Sequence, residues 1–205
     1  MLPKNIFQHH ERIGLDLDET LAESCLDMLY QLHGFWQLQG IQSFEQIDSF
    51  DWGTFPSCTW SQERMFQFFR SHHLTHVRPV THAVTGVLEL FQNNKDISII
   101  TARNEHDHKS DTIRWLNLYF PEIHHSMIHF ANHSAWDAKT KSEICKRMNV
   151  TMMIDDALHN AEDLVNNGIC CILLEKPWNR NSDFTHPNLH RVTNWQEIID
   201  NLQSK

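Results

Sequence analysis

The chain has 205 residues, 40% apolar and 21% charged, enough for one domain or one domain carrying a substantial insertion. Its formal net charge of -9 disfavours a nucleic acid polymer as main partner, because phosphate backbones call for lysine and arginine patches. No segment approaches the ~18–20 consecutive apolar residues that span a bilayer, and the N-terminus has no apolar signal core, so we expect a soluble, cytoplasmic protein with no membrane partner.

In chain order, Arg12–Leu17 reads as a first strand that ends in acids. Leu21–Pro79 lacks strand alternation. It carries a predicted helix over Leu21–Gln39, an irregular aromatic stretch over Phe50–Trp60 and a second predicted helix over Gln62–His73. Ala83–Asn93 has apolar residues at Val84, Val87, Leu88 and Phe91, the spacing of one helix face. Asp96–Thr101 is a second strand, and Asp111–Tyr119 a helix. Ser126–Phe130 is a third strand, Asp137–Met148 a helix, and Val150–Ile154 a fourth strand. Leu158–Asn167 is a helix that Gly168 can end, and Ile169–Leu174 a fifth strand. A short strand near Leu189–Val192 and a helix over Trp195–Leu202, capped by Asn194, complete the chain.

Strands alternating with helices predict an α/β fold, a three-layer Rossmann-like parallel sheet. Residues 1–20 and 80–205 form the expected core domain, and residues 21–79 a small helical insertion after the first strand. The five cysteines include no C-x-x-C pair and are expected as reduced, mostly buried thiols. The 16 histidines show no H-E-x-x-H spacing and are read as solvated.

Ligands of such sheets bind at the carboxyl ends of the strands, and three sets of chemistry-bearing residues fall there. Asp16 and Asp18 follow strand one, close enough for both carboxylates to reach one pocket. Thr101 ends strand two, followed by the N–H of Ala102 and by Arg103. Asp155 and Asp156 end strand four, with Lys139 and Lys141 ahead of it. Two adjacent acids after an apolar strand need pairing, water or a cation, and Mg²⁺ prefers such oxygen ligands. Taken singly, each set has an ordinary alternative: a surface turn, a turn threonine, a solvated lysine. Together, in this order, they point to phosphoryl chemistry.

The arrangement resembles the haloacid dehalogenase-like (HAD) hydrolase superfamily, with its D-x-D-x-T first motif, Thr/Ser second motif, lysine third motif and acidic fourth motif, from about Ile13 to Leu174 outside the insertion. The resemblance implies a HAD core with a helical cap. It makes Asp16 the nucleophile, Asp18 the acid/base, and Thr101, Ala102 and Lys141 (with Lys139 the fallback) the phosphate-binding set. Mg²⁺ would sit on Asp16, the backbone carbonyl of Asp18 and Asp155, while Asp156 positions Lys141 or a metal-bound water. An acid at Asp18 suits an alkoxide leaving group, which needs a proton where a halide does not, so phosphatase is preferred to dehalogenase.

Lys141 through Asp156 to Asn160-Ala161-Glu162, followed by Lys176-Pro177-Trp178-Asn179-Arg180, resembles the 5′-nucleotidase, deoxy (pyrimidine), type C group. Glu19 departs from it, standing where many relatives have glycine. The expected activity is Mg²⁺-dependent hydrolysis of a small phosphoester, a (deoxy)nucleoside monophosphate, through an aspartyl-phosphate. The alternatives are a phosphatase for another phosphoester such as a sugar phosphate, or an inactive binding module. Trp52 and Phe55 are candidates to stack on a base, and Arg103 to contact substrate. The aromatics of the insertion could also support a homodimer.

Overall fold

The computed structural model describes residues 2–38, 40–49, 64, 67–68, 71–132 and 138–204. Six strands form one parallel sheet: β1 (Arg12–Leu15), β2 (Asp96–Thr101), β3 (Ile128–Phe130), β4 (Met152–Asp155), β5 (Cys170–Leu174) and β6 (Leu189–Val192). Their order is β3-β2-β1-β4-β5-β6. The chain builds outward from β1 to β3, then returns to lay β4 on the other side of β1. That reversal opens a crevice beyond the carboxyl ends of β1 and β4, where α/β sheets bind ligands.

The strands are apolar because both sheet faces are covered. Alternate residues go to opposite sides. Ile13, Leu15, Ile97, Ile99, Met152 and Ile154 pack with Val87 and Leu90 of α3 (Ala83–Gln92), with Trp115 and Leu116 of α4 (Glu105–Tyr119), and with Trp195 and Ile198 of α7 (Trp195–Gln203). On the other face, Ile100, Met153, Cys171 and Leu173 pack with Ile144 and Cys145 of α5 (Lys141–Met148) and with Ala161, Leu164 and Val165 of α6 (Leu158–Asn166). The expected three-layer α/β architecture is therefore present. Gly86 of α3 lies directly against the Trp195 ring, where a Cβ would collide.

Several boundaries differ from the periodicity. Strand β1 ends at Leu15, and the predicted helix over Leu21–Gln39 is two, α1 (Ser24–Gln31) and α2 (His33–Leu38). The Leu17 carbonyl accepts the N–H groups of both Leu21 and Ala22 at 2.9 Å, closing a turn that delays the helix. The break at Leu32 falls two residues before Gly34, a weak helix former. Helix α4 begins at Glu105, six residues ahead of the prediction. Its first turns are polar and show no apolar stripe, but Asn104 caps Asp107 N–H. Helix α5 begins at Lys141, because Thr140 and Glu143 form a capping box there. The 3₁₀ turn His125–Met127 takes the start of the third predicted strand.

Leu21, Ala22, Leu74 and Val77 pack into the main core, whereas Cys25, Met28, Leu29, Phe35, Trp36, Ile41 and Ile47 form a core of their own. Phe50–Trp60, with Trp52 and Phe55, and half of Gln62–His73 lie outside the described residues. Cys25, Cys145, Cys170 and Cys171 are buried free thiols. Among the described residues, no helix is long and apolar enough to cross a membrane.

Candidate active site

Asp16 is the first residue past β1, and its N–H continues the ladder to the Ile154 carbonyl at 2.9 Å. This fixes Asp16 beside the end of β4, where Asp155 and Asp156 stand. All three are buried, and each offers an oxygen within 4.8 Å of the others. Lys141, in the first turn of α5, places Nζ 2.6 Å from Asp16 Oδ1 and 2.7 Å from Asp155 Oδ2. It is the only buried lysine among the described residues, and Lys139 is exposed. The capping box explains the difference: it starts the helix so that Lys141 points inward and Lys139 stays outside.

Asp155 is held from every side. Its Oδ1 accepts Ala157 N–H at 2.9 Å, and Asn160 Nδ2 donates to the same oxygen at 3.3 Å. Asp156, expected to position Lys141 or a water, takes its hydrogen bonds from the loop after β5. Trp178 Nε1 donates to Oδ2 at 3.1 Å, and Asn179 Nδ2 donates to the Asp156 carbonyl at 2.7 Å.

Burial dominates the electrostatics. It raises the Asp16 carboxyl to about 7, with Lys141 pulling the other way and Asp155 and Asp18 adding to the rise. Burial, with Asp16 and Asp155 nearby, also pushes Asp156 well above the carboxylate range. Burial alone would lower the pKa of Lys141, but Asp155 and Asp16 reverse it and keep the ammonium charged. Three clustered carboxylates, two of them paired with Lys141, fit a hard divalent cation such as Mg²⁺, which would relieve their mutual repulsion.

The carboxylate of Asp18 is held apart from this cluster by two side chains. Arg103 donates from Nε to Oδ2 at 2.8 Å and from Nη2 to Oδ1 at 2.7 Å, and Ser24 Oγ donates to Oδ1 at 2.5 Å. Burial opposes ionisation of Asp18, but Arg103 and Ser24 outweigh it and hold the carboxyl at about 2. Arg103 also donates to the His72 carbonyl at 3.4 Å. Thr101 is buried at the end of β2, and its Oγ1 accepts Arg103 N–H at 3.2 Å; Ala102 is exposed beside it.

Glu19 lies next to this centre with φ 59, a left-handed backbone that glycine adopts freely and other residues resist. The glycine that the resemblance leads one to expect here thus has a steric reason. Here the strain is held by two contacts: Glu19 Oε1 accepts Cys25 N–H at 2.5 Å, and Oε2 pairs with Lys176 Nζ at 3.4 Å. Ser24, Asn160 and Asn179 were not singled out individually from the sequence, although Asn160 and Asn179 fall in runs that carried the resemblance.

A parallel sheet with two aspartates after β1, a lysine at the start of α5 and two aspartates ending β4 defines an α/β protein of haloacid dehalogenase-like fold. Two solved structures share that fold. CbbY from Rhodobacter sphaeroides, crystallised with phosphate, is 13% identical with a TM-score of 0.59, covering 94% of this chain and 99% of its own. The haloacid dehalogenase-like family protein SP0104 from Streptococcus pneumoniae is 14% identical with a TM-score of 0.59, covering 96% and 100%. Residues 10–205 match the family described as "5' nucleotidase, deoxy (Pyrimidine), cytosolic type C protein", and the chain belongs to that family. It is 31% identical over 189 residues to a 5'(3')-deoxyribonucleotidase of Bacillus subtilis (strain 168), covering 91% of this chain and 95% of that protein. The same figures hold for a 5'(3')-deoxyribonucleotidase of Bacillus phage SPbeta.

Proposed function

We propose that this protein is a Mg²⁺-dependent phosphohydrolase that removes phosphate from (deoxy)nucleoside monophosphates through an aspartyl-phosphate on Asp16. The observation that carries the reading is the placement of Lys141 between Asp16 and Asp155 at the mouth of the sheet. A lysine there can hold the nucleophile in place and meet an entering phosphoryl oxygen. The nucleotide class is supported by family membership and by the deoxyribonucleotidase relatives.

In this reading Asp16, Asp155 and the backbone carbonyl of Asp18 would hold the cation, and Asp156 clusters with Asp16 and Asp155 as a further oxygen donor. The bound ion would neutralise negative charge so that a carboxylate can approach a phosphate. Asp16 attacks phosphorus; the bond to the leaving oxygen breaks as the bond to Asp16 forms. Asp18 gives its proton to the leaving alkoxide, then takes one from the water that releases phosphate from Asp16. Lys141, Thr101 Oγ1 and the Ala102 N–H receive the charge on the phosphoryl oxygens. Asp18 can donate only once protonated, so the Arg103 grip on its carboxylate must loosen as substrate enters.

The insertion of residues 21–79 serves as a cap over the site, with Trp52 and Phe55 as candidate partners for the base. We place the protein in the cytosol. The test is phosphate release from a panel of nucleoside monophosphates and sugar phosphates, with Mg²⁺ and with a chelator. Metal-dependent release confined to nucleotides supports the reading. Release from sugar phosphates alone keeps the chemistry and rejects the substrate class.

A further inference from the structure

The loop after β5 makes contacts that the proposed chemistry does not use. Lys176 reaches Glu19, Trp178 and Asn179 reach Asp156, and Arg180 Nη2 pairs with Glu45 Oε2 at 2.5 Å. Glu45 belongs to the insertion, in the turn Phe44–Gln46. The neighbouring Phe44 ring meets the Trp178 indole edge to face, centroids 5.6 Å apart at 75°, and Lys176 Nζ lies 5.9 Å above the same ring. Trp178 therefore has one end on a buried carboxylate of the catalytic cluster and its ring on the insertion.

We infer that Trp178 is a positioning residue: its indole N–H aims Asp156 at the metal, and its packing on Phe44 couples that aim to the seating of the insertion. The inference rests on the reading of Asp16, Asp155 and Asp156 as a metal site. A carboxylate that ligates a metal is oriented by its own hydrogen-bond partners, and loss of such a partner costs about 10–100-fold in metal affinity. Trp178 Nε1 also lies 3.3 Å from the Asp156 carbonyl, so one donor spans both ends of that residue. The indole orientation is set by Phe44, because edge-to-face ring pairs have a preferred geometry. When the insertion shifts, Phe44 shifts with it, and Trp178 cannot keep the same line to Asp156.

The test is direct binding of Mn²⁺, as a hard divalent probe, to the full chain without substrate, read from loss of the free-Mn²⁺ electron paramagnetic resonance signal. Four variants stand beside the wild type: Asp155→Asn, Trp178→Phe, Phe44→Ala and the Phe44→Ala/Trp178→Phe pair. We expect Asp155→Asn to abolish binding and Trp178→Phe to weaken it by about 10-fold or more. Phe44→Ala, which touches no carboxylate of the cluster, should weaken it in the same direction, and the pair should bind no worse than Trp178→Phe alone. Wild-type affinity in folded Trp178→Phe overturns the inference while leaving the metal site standing. Binding that is absent in the wild type, or unchanged in Asp155→Asn, overturns the metal reading itself. Circular dichroism checks folding. Should Trp178→Phe not fold, Phe44→Ala decides, and an unchanged affinity there overturns the coupling.

Discussion

The guanidinium of Arg103 meets the carboxylate of Asp18 edge on, with both oxygens engaged at 2.8 and 2.7 Å, and the Arg103 side chain is only 8% exposed. This fork is a geometry that lysine cannot reproduce. It ties Arg103 to the proposed acid/base, Asp18, across 85 positions of sequence.

If the fork sets the position of Asp18, the two residues act as a unit. Asp18→Asn should lower kcat by about 10²–10⁴-fold. Arg103→Lys should lower it less, by about 10-fold, since it keeps the charge and loses the second contact. Arg103→Ala added to Asp18→Asn should cost little more than Asp18→Asn alone. Steady-state kinetics of the single and double variants on one deoxynucleoside monophosphate measure this. Fully multiplicative losses would show that Arg103 acts independently of Asp18.

Lys141 has a stability role that can be separated from turnover. Its ammonium is almost wholly enclosed and touches two buried carboxylates. Removing one partner of a buried ion pair costs about 3–5 kcal/mol, because the others stay buried and unpaired. Lys141→Ala in chelator should lose stability of that order in urea unfolding. Lys139→Ala, at an exposed position, should stay within about 0.5 kcal/mol of wild type.

Asp16 gives the metal-free protein a pH dependence of known sign. Its folded pKa, about 7, lies above the ~3.9 of an unfolded aspartate. Between those values the folded state binds more protons than the unfolded state, so this group's contribution to stability falls as pH rises from ~4 to about 7, then levels. Burial lowers the pKa values of His10, His72, His129 and His190, which acts in the opposite sense. The comparison is therefore wild type against Asp16→Asn in chelator. Wild type should lose ground to the variant from pH 5 to pH 7.5, and Mg²⁺ should raise the wild-type Tm more at pH 7.5 than at pH 5. A wild-type Tm that gains on the variant over that range contradicts the assignment.

The loop after β1 is anchored from beneath by α7. Trp195 Nε1 donates to the Thr20 carbonyl at 2.8 Å, with both residues fully buried. Trp195→Phe keeps most of the packing and strands that carbonyl, at about 1–3 kcal/mol. Because Thr20 closes the D-x-D-x-T turn, kcat should fall as well. Gly86→Ala drives a methyl into the same indole and should cost about 1–3 kcal/mol through overpacking. Chemical denaturation and kinetics of both variants check the pair.

Much of this was legible in the sequence because strand ends announce themselves. Apolar runs that stop at Asp16, Thr101 and Asp155 located the sheet and the mouth of the site together. Capping chemistry decided what periodicity could not. The Thr140/Glu143 box chose Lys141 over Lys139, and Asn104 began α4 in a stretch with no apolar stripe. Contacts between distant loops were not legible. Nothing local in Arg103 or Ser24 says that both converge on Asp18. The run Lys176–Arg180 was visible as a motif, but its partners Glu19, Asp156 and Glu45 are set by the tertiary path. The left-handed backbone at Glu19 is likewise a property of the turn, in a residue type that gives no warning of it.

The most direct test of the central claim is phosphate release from a deoxynucleoside 5′-monophosphate by wild type and by Asp16→Asn, both in Mg²⁺ and both checked for folding by their thermal melts. The account predicts release by wild type that a chelator stops, and none above background from Asp16→Asn. Turnover at the wild-type rate by a folded Asp16→Asn protein would contradict it.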